Sequence, residues 1–250
     1  MDLAPSTVTS YIVNVRAFAV RLMGEREDRS ARAWPLVLSR VAAWMPPRVD
    51  SRPAIDLPVF QAAVQDPSAD RTVCLALAFA FDTVSRSSDY LDNPRGFGFS
   101  SAGPVPLSQI RVGKDALGGT VAELVKITKG SRGKASRVRA SSRVSSAAFH
   151  PCGYKSATAL TSWVSARREA GASPSEPLWL RANGRCVSSN DVVSLLQRHT
   201  PHPVSRHSIR ISSASIAVSR GLMTLASLAT LGGWKDESSC RSYVRSLVSS

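Results

Sequence analysis

Three features stand in a row near the C-terminal end: His207-Ser-Ile-Arg210, then Leu231-Gly-Gly-Trp234, then Tyr243. His207 and Arg210 are three residues apart, so on a helix they share a face. A guanidinium presents parallel N–H groups to the oxygens of a phosphate and stays charged at any working pH. An imidazole gains and loses a proton near neutrality, so His207 can serve proton transfer at the same phosphate. Trp234 carries one N–H and can only donate. A phenol such as Tyr243 is a poor nucleophile until cations and a base surround it, and then it can form a covalent intermediate. The chemistry these groups support together is phosphoryl transfer to an oxygen of the protein. No cluster of carboxylates suits two metals, and no GxxxxGK[ST] loop occurs, so nucleotide hydrolysis is not expected. His199-x-x-His202 and His150-x-Cys152 carry ligand-capable atoms. Pro151, Pro201 and Pro203 place them in loops, and no second pair lies at zinc spacing. Neither a metal nor a cofactor is expected.

The charge names the class of partner. Lys and Arg number 32 against 18 Asp and Glu in 250 residues, a formal net charge of +14. The isoelectric point is near 10.6, which points to a polyanion. Only six of the cations are Lys, so the fork-shaped guanidinium dominates. Lys126, Lys129, Arg132, Lys134, Arg137, Arg139 and Arg143 fall within one stretch that holds no acid, and Arg206 lies in a second acid-free stretch from 198 to 210. Such stretches can ride a phosphate backbone. The longest apolar run, Val73 to Phe81, is half of a membrane span, and the Met1-Asp2-Leu3 start lacks the pattern of a secretory signal. Four scattered cysteines without a CxxC read as reduced thiols. The expected setting is intracellular and DNA-associated, in a nucleus or nucleoid.

The elements that must position these groups follow from periodicity and punctuation. Apolar spacing after Thr7 predicts a helix up to Gly24, and a second pattern runs from about 36 to 45, ended by Pro46-Pro47. Two helices are thin for an independent domain, so residues 1–50 read as a partial helical unit and 54–250 as the main one. In the latter, helices are expected at 59–64 and 70–84, followed by a Gly-, Pro- and Ser-rich loop from 93 to 108. Strands are expected at 109–112, 121–128 and 136–140, the last two flanking a Gly-Ser-Arg-Gly turn as a basic hairpin. Further helices are expected at about 156–171, 188–199, 205–220, 223–231 and 237–248. The fold class is mainly α with a small antiparallel β-sheet.

On these residues the chain resembles the tyrosine recombinase (phage integrase) family. That family carries H-x-x-R, then L-G-H or G-G-W, then a nucleophilic tyrosine about nine residues on. Its first arginine follows an apolar helix, with an acid three residues later. Ala76-Leu-Ala-Phe-Ala-Phe-Asp-Thr-Val-Ser-Arg86-Ser-Ser-Asp89 is similar, with Asp89 as the partner of Arg86. Val84-Ser85 stands where the family usually has Thr-Gly or a similar small pair. The family's lysine sits in a hairpin between the boxes, where Ile127-Thr-Lys129-Gly matches best and Lys134 is the nearest competitor.

The resemblance spans about 57–250 and looks most like mobile-element integrases. It implies a catalytic set of Arg86, Lys129, His207, Arg210, Trp234 and Tyr243, and double-stranded DNA as partner. It also implies strand exchange or integration through a 3′-phosphotyrosyl link in a homotetramer on DNA, without metal or ATP. Residues 1–50 would then be an incomplete helical core-binding region. Two other readings stay open: a DNA-binding protein that keeps the fold without the reaction, and a type IB topoisomerase.

Overall fold

The computed structural model describes residues 11, 54–93, 103–116, 118–128, 138–145, 155–245 and 247–248. The chain forms two compact units, Met1–Ser51 and Arg52–Ser250. In the first unit Tyr11 is helical and exposed. The rest of the helices expected before residue 46 lies outside the described residues.

In the second unit the chain runs β1 (Ala54–Ile55), α1 (Leu57–Val64), α2 (Arg71–Asp82), α3 (Ser87–Tyr90), β2 (Asp92–Asn93) and β3 (Gly103–Pro104). After a 3-10 turn at Leu107–Gln109 come β4 (Ile110–Lys114), β5 (Thr120–Thr128) and β6 (Val138–Ser145). Helices α4 (Ser156–Glu169), α5 (Ser189–Gln197), α6 (Arg206–Ser219), α7 (Leu225–Gly232) and α8 (Glu237–Arg241) follow, and then β7 (Leu247–Val248). The mainly helical class with a small antiparallel sheet is what the sequence led us to expect.

Helix α2 is apolar on every side and is buried from Thr72 to Phe81, with α1, α4, α5 and α6 packed around it. Its start is set by Asp70, whose carboxylate accepts the Thr72 N–H at 2.9 Å. Helix α1 begins at Leu57, capped by Asp56, with Pro58 in its first turn where no N–H is needed. The helix therefore starts two residues before the expected 59–64. Strands β4, β5 and β6 form one antiparallel sheet with β5 in the middle, and α4 packs against β5.

The largest departure from expectation is at the last helix. The pattern from 237 to 248 predicts three turns, but α8 ends at Arg241 and Leu247–Val248 pairs in parallel with Ala54–Ile55. Tyr243 and Val244 leave the helix to pack on a second, smaller core made by Val84, Ala214, Ala217, Leu228, Ala229 and Cys240. Burial of these two side chains and pairing with β1 outweigh the short run of helix propensity.

Candidate active site

Arg210 is the centre of the site. It lies one turn into α6 and only 1% of it is exposed. Its Nη1 donates to Val84 O at 2.6 Å and its Nη2 to Gly232 O at 2.7 Å. Its Cζ lies 3.8 Å from the centroid of the Trp234 ring and 5.4 Å from that of Tyr243. The two aromatic rings meet each other at 5.0 Å and 60°. Burial, and then the nearby Arg86 charge, lower the guanidinium pKa to about 10. Two N–H groups here are buried with no acceptor among the described residues: Arg210 Nε and Trp234 Nε1. Buried donors in folded proteins are almost always paired, so two orphans on adjoining side chains mark a place for an acceptor.

The carbonyls that hold Arg210 come from two helix ends of the same kind. At the end of α2, Ser85 N–H bonds Ala80 O at 3.1 Å and Val84 N–H bonds Phe81 O at 3.2 Å. At the end of α7, Trp234 N–H bonds Ala229 O at 2.9 Å and Gly233 N–H bonds Thr230 O at 3.2 Å. Both are Schellman turns, which need one left-handed residue. Gly233 supplies it at φ 64°, and at the other end Val84 does so at φ 52°. A β-branched residue there is strained. The burial of Val84 in the second core holds it in place. This turn delivers Arg86 directly after it, at the N-cap of α3, with its side chain 42% exposed. The Arg86 N–H donates to Asp89 Oδ2 at 3.2 Å, and Nη1 lies 4.0 Å from the same oxygen.

The fold thus brings Arg86, Arg210, Trp234 and Tyr243 to one spot. His207 is exposed in the first turn of α6, one turn before Arg210, and Arg206 is exposed beside it. The shared face inferred for His207 and Arg210 therefore does not give them the same environment. Lys129, Arg132, Lys134 and Arg137 lie outside the described residues. Lys126 stands on β5 opposite Ala140, and Arg139 and Arg143 on β6 stand opposite Ile127 and Glu123. Among the described residues no three His, Cys, Asp or Glu side chains are grouped to hold a metal, and no helix is long and apolar enough to cross a membrane.

Sequence reasoning named Gly232 and Val84 only as members of motifs, without their roles as acceptors for Arg210, and it missed Ser215. Ser215 is wholly buried. Its Oγ lies 2.8 Å from Ile211 O and 3.3 Å from Tyr243 O, and accepts the Arg245 N–H at 2.9 Å. The available signal was a run of serines within a helix whose every position from 208 to 217 is buried. A hydroxyl in such a place must be bonding something.

This fold, a central all-apolar helix beside a three-stranded sheet, is that of solved tyrosine recombinases and integrases. No protein-family model and no curated protein matches the chain. Solved structures do. A lambda integrase dimer bound to a COC′ core site matches with a TM-score of 0.50 and 15% identity, over 98% of this chain and 80% of that one. The Tn1549 transposon integrase in complex with circular intermediate DNA matches at 0.50 and 13%, over 98% and 77%. XerH site-specific recombinase bound to its difH substrate matches at 0.49 and 12%, over 77% of this chain. The chain spans 50% of the length of that XerH structure.

Proposed function

We propose that the protein is a site-specific DNA recombinase or integrase that cleaves and rejoins strands through Tyr243. The observation that carries this reading is the pair of buried, unpartnered N–H donors on Arg210 and Trp234 beside the Tyr243 ring. Donors without acceptors suit the non-bridging oxygens of a phosphodiester. In the reaction the Tyr243 oxygen attacks phosphorus in line, its proton passing toward His207. The P–O bond to the 5′-oxygen breaks, and that oxygen takes a proton from Lys129, or from Lys134 in its place. The 3′-phosphate is left on Tyr243. Arg86 and Arg210 neutralise the charge that grows on the two non-bridging oxygens, the term that dominates catalysis of this kind. A 5′-hydroxyl from another strand reverses the steps, so bond energy is kept and no ATP is needed.

Double-stranded DNA is the partner, gripped by Arg139, Arg143, Arg206 and the hairpin cations beside them. We assign 54–250 as the catalytic domain and 1–50 as part of a core-binding domain. The working form is a homotetramer on DNA, in a nucleus or nucleoid. Arg210 is enclosed by its neighbours. DNA must therefore displace the Trp234 and Tyr243 rings before the guanidinium meets a phosphate. A site that never opens would leave a DNA-binding protein only. One experiment separates the two. A library of nicked duplexes of random sequence is incubated with the protein, and covalent complexes are captured and peptide-mapped. We expect a 3′-phosphate adduct on Tyr243 that Tyr243→Phe abolishes with DNA affinity kept, because the ring stays and only the hydroxyl goes. Binding without any adduct would leave the binding-protein reading. Relaxed plasmid without recombinants would favour a topoisomerase.

A further inference from the structure

We infer that Ser215 is a positioning residue for the nucleophile, an inference that rests on Tyr243 acting as proposed above. Helix α8 ends at Arg241, so Tyr243 to Arg245 lie beyond the helix. Turn bonds from Tyr243 N–H to Cys240 O at 2.9 Å and from Val244 N–H to Arg241 O at 3.1 Å link this segment back to α8, and a buried hydroxyl links it to α6. Ser215 Oγ accepts the Arg245 N–H at 2.9 Å, and its one proton lies between Ile211 O at 2.8 Å and Tyr243 O at 3.3 Å. The Arg245 main chain is therefore tied to the helix that carries Arg210, and Tyr243 O is the second, longer acceptor for the same hydroxyl.

The geometry gives the bond its purpose. Ser215 is five residues beyond Arg210 on α6, about one and a half turns, so the tie sets the distance between the phosphate-binding guanidinium and the backbone of the tyrosine. The Tyr243 ring must swing from its place against Trp234 to admit a phosphate. With the main chain held, that movement is a side-chain rotation about a fixed Cα, and the hydroxyl stays within reach of the site. Without the tie the segment keeps its turn bonds to α8 but loses its register against α6, and the in-line geometry is lost from more of its positions. None of the other serines on α6 serves this segment. Ser212 Oγ accepts the Ile55 N–H at 2.8 Å, and Ser213 donates to Phe81 O.

The test uses Ser215→Ala, which removes one oxygen and replaces Ser with a better helix former, so the helix survives. Ser215→Thr is the rescue, since it keeps the hydroxyl. Two quantities are measured: amide hydrogen exchange at Arg245 in the free protein, and single-turnover cleavage of a nicked duplex captured by the wild type. In S215A we expect Arg245 exchange at least ten-fold faster and cleavage at least ten-fold slower, with the Kd for the duplex unchanged. S215T should restore both. A merely structural serine would move the unfolding midpoint without separating cleavage from binding. Unchanged exchange, or cleavage by S215A as fast as or faster than wild type, overturns the role of Ser215 and leaves the recombinase reading standing. A wild type that forms no adduct overturns that reading, and this inference with it.

Discussion

Arg210 is asked to do two things that compete. A buried guanidinium with no carboxylate bonded to it is costly, and the fall of its pKa to about 10 through burial is a measure of that cost. Two carbonyls and a tryptophan face offset it. Replacing Arg210 would therefore leave Val84 O and Gly232 O unpaired as well as remove a charge from the site, so its variants report on the second core and on chemistry at once. Gly232 is the cleaner probe. A Cβ built there would lie 2.0 Å from Trp234 Cζ3, far inside contact distance. Gly232→Ala must push the tryptophan ring off its place over Arg210. The overpacking, about 1–3 kcal/mol, exceeds the helix gain of about 1 kcal/mol from Gly to Ala. We expect a lower urea midpoint and cleavage reduced at least ten-fold. An unchanged midpoint would show that the ring does not rest on Gly232 in solution.

At the scale of elements, helix ends position the candidate site while helix bodies form the core. The Schellman turns after α2 and α7 aim the Arg210 acceptors, and the first of them also places Arg86. On another part of the domain the turn from 65 to 69, between α1 and α2, is tied to the end of α5 by Asp66. Hydrogen bonds from Ser68, and then from His199 and the Arg198 charge, hold its pKa down to about 2. The contacts are 2.6 Å to Ser68 Oγ, 3.1 Å to His199 Nε2 and 3.2 Å to Arg198 Nη2. A carboxylate whose pKa is lower in the folded state binds protons more weakly there than in the unfolded chain. Its stabilisation is complete above the unfolded value of 3.8 and is lost as pH falls toward 2. Unfolding free energy should therefore decline over that interval, and Asp66→Asn should flatten the decline while lowering stability at neutral pH. Denaturant melts at several pH values check this. An identical acid limb in the variant would remove Asp66 from the account.

Over the whole molecule, the excess of positive charge sets the expected binding behaviour. Affinity for duplex DNA should fall steeply with salt, since each phosphate contact releases a counterion. Arg139 and Arg143 belong to the acid-free basic stretch and lie on β6. Arg139→Ala should weaken binding to all sequences and lower the salt slope by about 1, and Arg143→Ala should do the same. Fluorescence anisotropy across a salt series reads both. Affinity that ignores salt would contradict the polyanion reading of the charge.

The sequence by itself determined the elements and the chemical types at the site. Periodicity located α2, the hairpin strands and α6 because burial on one side or all sides leaves a local, repeating trace in residue type. The order Arg, His-x-x-Arg, Trp, Tyr could be read in the same way, because each group's chemistry belongs to its side chain. Only the tertiary structure decided that Arg210 is enclosed and that His207, on the same helix, is exposed. It also decided that the last helix stops at Arg241. These depend on contacts between residues far apart in the chain: Val84 with Arg210, Gly232 with Arg210, Ser215 with Arg245, Ile55 with Val248. Ser215 left only the faint signal of a serine run in an apolar helix, and Val84 only that of an unexpected residue before Arg86. Their roles arise from main-chain atoms that folding brings to them. A sequence names side chains, and main-chain partners are chosen only when the chain has closed on itself.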